Sequence, residues 1–186
     1  MKRAMDLGFV VVAVIIGALP LLLVALLVRC TSKGPVLYWS DRVGRRSRIF
    51  RMPKFRTMRV DTPAVATHLL QDPSSWLTPI GGLLRRTSLD ELPQLWSIAT
   101  GDMSVVGPRP ALFNQDDLIA LRTQTGVDAL VPGLTGWAQI NGRDELSIPE
   151  KVRFDEEYLQ RQSLLFDLEI VIRTIARAFG GHGVSH

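Results

Sequence analysis

Two adjacent carboxylates, Asp90 and Glu91, sit a few residues after two arginines in the stretch Arg85-Arg86-Thr87-Ser88-Leu89-Asp90-Glu91-Leu92-Pro93-Gln94. An ionised aspartate can attack phosphorus. A glutamate beside it can hold Mg²⁺, which takes one or two carboxylates and completes its shell with substrate phosphate oxygens and water. The same residues also describe a helix start, because Ser88 with Glu91 three positions later forms a capping box. Pro93 selects between two starting points. With Ser88 as N-cap it is the fifth helical residue and deletes an intrahelical bond; with Asp90 as N-cap it lies in the first turn and deletes nothing. A helix starting near Asp90 is therefore expected, with the acidic pair at its positive end beside Arg85 and Arg86. That setting keeps a carboxylate ionised at neutral pH and attracts anions.

Two further stretches carry chemistry-bearing residues. In Gly101-Asp102-Met103-Ser104-Val105-Val106-Gly107-Pro108-Arg109-Pro110, two glycines and two prolines enclose a short apolar run. Prolines on both sides hold Arg109 in a fixed direction suited to bidentate phosphate contact, although an ordinary turn with a surface arginine has the same composition. In Pro132-Gly133-Leu134-Thr135-Gly136-Trp137-Ala138-Gln139-Ile140-Asn141-Gly142-Arg143, three glycines, a tryptophan, two amides and an arginine fit either a pocket that stacks a planar group or a glycine-rich turn around a buried Trp137.

The elements that must position these residues begin with an uncharged run of 22 residues, Leu7 to Val28. At about 1.5 Å per residue it is long enough for a hydrocarbon core of about 30 Å. It is longer than the apolar region of a signal peptide, and no small-x-small cleavage site follows it. Pro20 lies inside the run and should kink a helix. Lys2 and Arg3 precede it and Arg29 and Lys33 follow it, so the positive-inside rule assigns both ends to the cytoplasmic side. A helix that enters, bends near Leu19-Pro20 and returns satisfies both features; a single-pass anchor that tolerates its proline remains the alternative.

Residues 1–60 hold twelve Lys/Arg and two acids, whereas residues 61–186 hold ten and sixteen. The basic front half suits an anionic surface or ligand. Its densest part, Arg42 to Arg59, has eight cations and no acid among Ile49, Phe50, Met52, Phe55 and Met58, and reads as a solvated basic face beside anionic lipid. The adjoining anchor excludes nucleic acid as its partner. One cysteine (Cys30) and three histidines (His68, His182, His186) exclude a disulfide scaffold and a Cys₂His₂ zinc site. A short strand is expected at Val36 to Trp39, a loop-rich connection over 61–79, and helices over 88–99, 114–124 and 150–179. In the last, Phe154, Tyr158, Leu165, Leu168, Ile172, Ile175 and Phe179 form an apolar stripe with one longer gap. Core packing is the default for such a stripe, and an interfacial membrane helix is the alternative. The chain thus reads as α+β: an N-terminal membrane helix and its flanks (1–33), then a mostly helical membrane-surface catalytic domain with short strands (34–186).

With these blocks in order, the chain resembles the bacterial sugar transferases, in particular the small monotopic phosphoglycosyl transferases. The likeness runs through Lys2-Arg3, Asp6, Lys54-Phe55-Arg56-Thr57-Met58, Arg86 to Gln94, Gly101 to Ser104, Gly107 to Pro110 and Pro132 to Arg143. The resemblance implies a re-entrant helix hinged at a Ser-Pro pair, here Leu19-Pro20, so that only the cytoplasmic face of the bacterial inner membrane is touched. It implies that Asp90 attacks the β-phosphorus of a UDP-sugar, that UMP leaves, and that polyprenyl phosphate, typically undecaprenyl phosphate, then takes the phosphosugar from the carboxylate. Mg²⁺ is expected at Asp90 and Glu91, and Arg109, Arg86, Lys54 and Arg56 are expected to bind substrate phosphates. The ending, 180–186, is short for the family, which implies that a C-terminal lid or contact is missing. A membrane-bound Mg²⁺-dependent phosphohydrolase and a non-catalytic membrane scaffold are the competing readings.

Overall fold

The computed structural model describes residues 1–63, 72–142 and 145–180, with side chains to 177. His68, Arg143, the Phe179 side chain, the ending 181–186 and part of the connection expected over 61–79 lie outside this description. The described part of that connection holds a 3₁₀ turn, Pro73–Trp76, which Asp72 caps by accepting the Ser74 N–H.

The uncharged run is one helix, α1 (Lys2–Thr31), and among the described residues it is the helix long and apolar enough to cross a membrane. Pro20 lies inside it and removes the bond to the Ile16 carbonyl. Large apolar side chains line its outer surface, including Val12, Ile15, Ile16, Leu19 and Leu22. Both ends are fastened to the same body. At the start, the Asp6 carboxylate accepts from Ser104 Oγ and the Val105 N–H, both at 2.9 Å, and Lys2 reaches Asp167 Oδ2 at 2.6 Å. Near the other end, Val24 and Val28 are buried with Phe55 and Leu84.

The basic run is not a solvated face alone but half of a hairpin. Strand β1 (Leu37–Val43) pairs antiparallel with β2 (Ile49–Phe55), from Leu37 opposite Phe55 to Val43 opposite Ile49. Strand alternation turns Phe50 and Met52 into the main core and Ile49 and Arg51 to the other face, where Phe55, further along, is buried against α1 with Val24 and Val28. Pro53 is tolerated because β2 is an edge strand of its three-stranded sheet. Helix α2 (Gly81–Arg86) follows, then a 3₁₀ segment (Leu89–Gln94) leading into α3 (Leu95–Thr100). The helix expected to begin near Asp90 is thus a tight turn first and an α-helix only from Leu95. Ser88 occupies the cap position in a left-handed conformation (φ 55°) and makes no side-chain cap bond. Pro93 is the fifth residue of this turn, the placement that an α-helix would penalise; the 3₁₀ winding absorbs it over only six residues.

Strands β3 (Ser104–Val106) and β4 (Ala111–Leu112) flank the Pro-Arg-Pro segment; β4 joins β1, and β3 pairs parallel with β5 (Gly133–Thr135). Here the glycines are steric. A Cβ on Gly133 would lie 2.1 Å from Gly107 N, and one on Gly136 would lie 2.1 Å from Gly107 O. The two glycine-rich stretches therefore cross backbone to backbone. Helix α4 (Asp116–Gln124) falls inside the expected 114–124, and a short α5 (Trp137–Ile140) follows β5.

The helix expected over 150–179 is two: α6 (Ile148–Arg161) and α7 (Leu164–Gly180). They part at the longer gap in the apolar stripe, where Ser163 caps α7 through its Oγ and its carbonyl. The break also splits the stripe. Tyr158 on α6 is fully buried, whereas Leu165, Leu168, Ile172 and Ile175 on α7 face outward, Leu165 at 81% exposure. The core face of α7 is carried instead by Phe166 and Ile170, which join Trp137, Tyr158, Ile98 and Met103 in the main cluster.

Candidate active site

Five elements converge on the acidic pair. The 3₁₀ segment carries Asp90 and Glu91, the end of β2 carries Lys54, β1 carries Arg42, α2 carries Arg85, and the link between β3 and β4 carries Arg109. Glu91 Oε1 accepts from Lys54 Nζ at 2.8 Å and from Arg109 at 3.2 Å. Asp90 is 7% exposed, yet among the described residues it accepts no hydrogen bond and has no ion pair within 4.0 Å. Among the described residues four cations face two carboxylates, a formal excess of two positive charges, the sign a diphosphate requires.

Burial dominates the electrostatics. It pushes the Asp90 carboxyl above the ordinary aspartate range, with Lys54, Arg85 and Arg109 opposing the shift and Glu91 adding to it. The neighbouring cations favour the ionised form, as the sequence suggests, but desolvation outweighs them in the direction of the shift. Burial likewise pulls down the Lys54 ammonium against the attraction of Glu91, and pulls Arg42 down to about 10, with Arg109 adding and Glu91 opposing. These cations are poorly solvated, so an anion brought beside them gains more attraction than it would in water.

Of the residues singled out from sequence, Asp90, Glu91, Lys54 and Arg109 meet here. Arg86 and Arg56 do not. Arg86 is exposed, and its neighbour Arg85 turns inward instead, donating to Thr57 Oγ1 at 3.1 Å. Consecutive helical residues point about 100° apart, so only one of the two can face the pair. Arg56 donates to the Pro35 carbonyl at 2.8 Å and lies over the Tyr38 ring, bracing the entry to β1. Arg42 was passed over in the sequence, and Arg85, noted there beside the acidic pair, was not among the expected phosphate binders. Arg42 was visible only as one of eight basic residues in a run, and strand register is what points it inward. Trp137 does not offer a stacking surface: it is 9% exposed, packs at 5.0 Å from the Phe166 ring and donates to Glu157. The amides of Gln139 and Asn141 close local turns on the Leu134 and Trp137 carbonyls, so the buried-tryptophan turn is the form this segment takes.

An α+β domain tied to a long apolar helix, with an aspartate–glutamate pair ringed by cations, defines a membrane-associated enzyme class, and the chain belongs to it: it is a member of the bacterial sugar transferase family, whose model matches residues 1–181. It is 39% identical over 188 residues to the UDP-glucose:undecaprenyl-phosphate glucose-1-phosphate transferase of Escherichia coli K12, an alignment that takes in 96% of this chain and 40% of that protein. It is 40% identical to the exopolysaccharide production protein ExoY of Rhizobium meliloti, covering 94% of this chain and 83% of the relative. It is 36% identical to the sugar transferase EpsL of Bacillus subtilis, covering 99% and 90%. The chain thus spans about two fifths of the E. coli relative and most of the other two.

Proposed function

We propose that this chain transfers a sugar phosphate from a UDP-sugar to polyprenyl phosphate, releasing UMP through a phosphosugar held on Asp90. The observation that carries the reading is Asp90 itself: a buried carboxylate without a partner among the described residues, beside Glu91 and inside a ring of four cations. The diphosphate of the donor fits that ring, with the arginines and Lys54 neutralising its oxygens. Asp90 Oδ attacks the β-phosphorus, the bond from that phosphorus to the bridging oxygen breaks, and UMP departs with the electron pair. A phosphate oxygen of the lipid acceptor then attacks the same phosphorus, and the aspartate leaves as carboxylate. The E. coli relative is named for UDP-glucose and undecaprenyl phosphate, which makes these the first donor and acceptor to test here.

A resident Mg²⁺ would be held by Asp90 and Glu91. The residues fit that ion: it takes one or two carboxylates and fills its shell with waters and phosphate oxygens. It would supply charge neutralisation on the diphosphate. A metal at Glu91 competes with Lys54 and Arg109, which hold that carboxylate in the structure.

The membrane reading is monotopic, on the cytoplasmic face of the bacterial inner membrane. Three features support it: both ends of α1 are fastened to one body, both ends are basic, and the outward face of α7 carries Leu165, Leu168, Ile172 and Ile175 as an interfacial helix would.

The test is UMP release from a panel of UDP-sugars with undecaprenyl phosphate and Mg²⁺, comparing wild type with Asp90→Asn, and mass spectrometry for phosphosugar on Asp90. The expected result is lipid-dependent product, a mass adduct on the Asp90 peptide and no turnover by the variant. Equal UMP release without lipid would assign a phosphohydrolase, and retained activity in Asp90→Asn would remove the aspartate from the chemistry.

A further inference from the structure

The Pro-Arg-Pro segment is held from several sides by groups that bond its carbonyls. Proline has no N–H, so a segment with prolines at 108 and 110 can be fixed by backbone bonds mainly through its acceptors. Tyr158 donates to Val106 O at 3.3 Å, Gly133 N to Pro108 O at 2.9 Å and Arg42 to Pro110 O at 3.2 Å. The carbonyl of Arg109, the residue whose guanidinium reaches Glu91, accepts from Arg122 NH1 at 2.8 Å.

Arg122 comes from α4 and is largely buried, with its side chain 11% exposed. Its other nitrogens are taken by one carboxylate oxygen of Asp155 on α6: Nε at 3.0 Å and NH2 at 2.7 Å. One planar fork thus joins three elements. Asp155 fixes the guanidinium, and the guanidinium fixes the backbone of Arg109. Burial pushes the Asp155 carboxyl up and Arg122 opposes it, so the pair persists by mutual neutralisation in a largely desolvated place. A buried charge pair is not needed merely to fill space, since apolar side chains of similar volume often stabilise as well or better.

We propose that Arg122, held by Asp155, is a positioning residue that sets the direction in which Arg109 meets the anionic donor. The proposal rests on the reading that Arg109 binds donor phosphate. Lysine in place of Arg122 keeps a cation beside Asp155 but has one nitrogen, which cannot serve the carboxylate and the Arg109 carbonyl in the forked geometry.

The test is a double-mutant cycle in the full chain, in detergent or nanodiscs, with Arg122→Lys, Arg122→Gln, Arg109→Gln and the combined Arg109→Gln/Arg122→Lys. Three readouts are taken: kcat/KM for the UDP-sugar, UDP affinity by calorimetry, and Tm. Expected is a fall of about tenfold in kcat/KM and in UDP affinity for Arg122→Lys in the wild-type background, the scale of one misplaced charged hydrogen bond. Less than twofold further loss is expected once Arg109 is glutamine, while the change in Tm is the same in both backgrounds. Equal losses of kcat/KM in both backgrounds, or losses that track Tm alone, would overturn the proposal. Arg122→Gln extends the series if the lysine variant behaves as wild type: wild-type affinity in both variants sinks it. The UDP measurement needs no turnover, so a wild type that binds UDP but transfers nothing fails the reading of function while leaving the role of Arg122 to be decided by the same cycle.

Discussion

Four aspartates are buried among the described residues, and they follow opposite logics: three are bonded within the fold and one is not. Where α1 and α7 meet the body, the carboxylates are satisfied. Asp6 accepts from Ser104 and Val105, and Asp167 accepts from Lys2 at 2.6 Å and from Tyr158 at 2.6 Å. Asp155 is likewise bonded twice by Arg122. In the cation-lined site, Asp90 is buried to a similar degree and, among the described residues, has no such bond. A buried charge left without a partner costs stability, whereas a paired one holds elements together. The comparison teaches that the anchorage uses its carboxylates for structure, whereas the cation-lined site holds one whose ionisation costs the fold stability.

Variants can break this contrast. The largest effect is expected for Asp90→Asn: a loss of activity of about a thousandfold or more, measured as lipid-linked product. Stability should move the other way. Because burial raises the Asp90 pKa in the fold, the protonated form is favoured there; the penalty is absent below the unfolded pKa and present once pH has risen through the folded one. Asparagine carries no such penalty. The variant should therefore melt above wild type at pH 7, and the gap should close as pH falls toward the ordinary aspartate range, read as Tm against pH. By the same titration, wild-type activity should fall on the acid side at a pH above that of an exposed aspartate.

The mirror-image change is Asp167→Asn or Asp6→Ala in the anchorage. Removing one partner of a buried charged contact should cost about 3 kcal/mol of stability, measured by thermal or denaturant unfolding in detergent. Of the activity that remains, KM for donor should be near that of wild type, since neither residue reaches the cation ring. A smaller effect sharpens the site's boundary: Arg85→Gln should lower kcat/KM about tenfold, the order of one charge-assisted phosphate contact. The smallest expected effect is that of Arg86→Gln, within about twofold of wild type in the same assay, because its side chain is exposed. A large loss there would redraw the site around the neighbouring arginine.

Much of this was legible in the sequence because it depends on runs and neighbours. An uncharged stretch of 22 residues must seek apolar surroundings whatever the fold, so α1 could be read directly. Asp90 and Glu91, adjacent in the chain, were bound to share a site, and prolines on both sides of Arg109 fixed its backbone locally. The single helix expected over 150–179 failed for a readable reason, since the stripe's own gap marks the break between α6 and α7. Ser88 and Asp90 misled because a capping pattern assumes an α-helix, and Pro93 with a left-handed Ser88 makes a 3₁₀ turn instead.

What the chain alone determined is therefore the membrane helix, the acidic pair and the rigid arginine beside it, all products of covalent proximity and hydrophobic patterning. The tertiary structure decided which cations surround the pair, that Arg85 rather than Arg86 turns inward, and that the α7 stripe faces out. It also decided that, among the described residues, Asp90 is left without the partner that Asp6, Asp155 and Asp167 each found. The reason is physical: long charged side chains sweep a wide radius, and only the packing of separate elements selects which of them are desolvated together and which reach water.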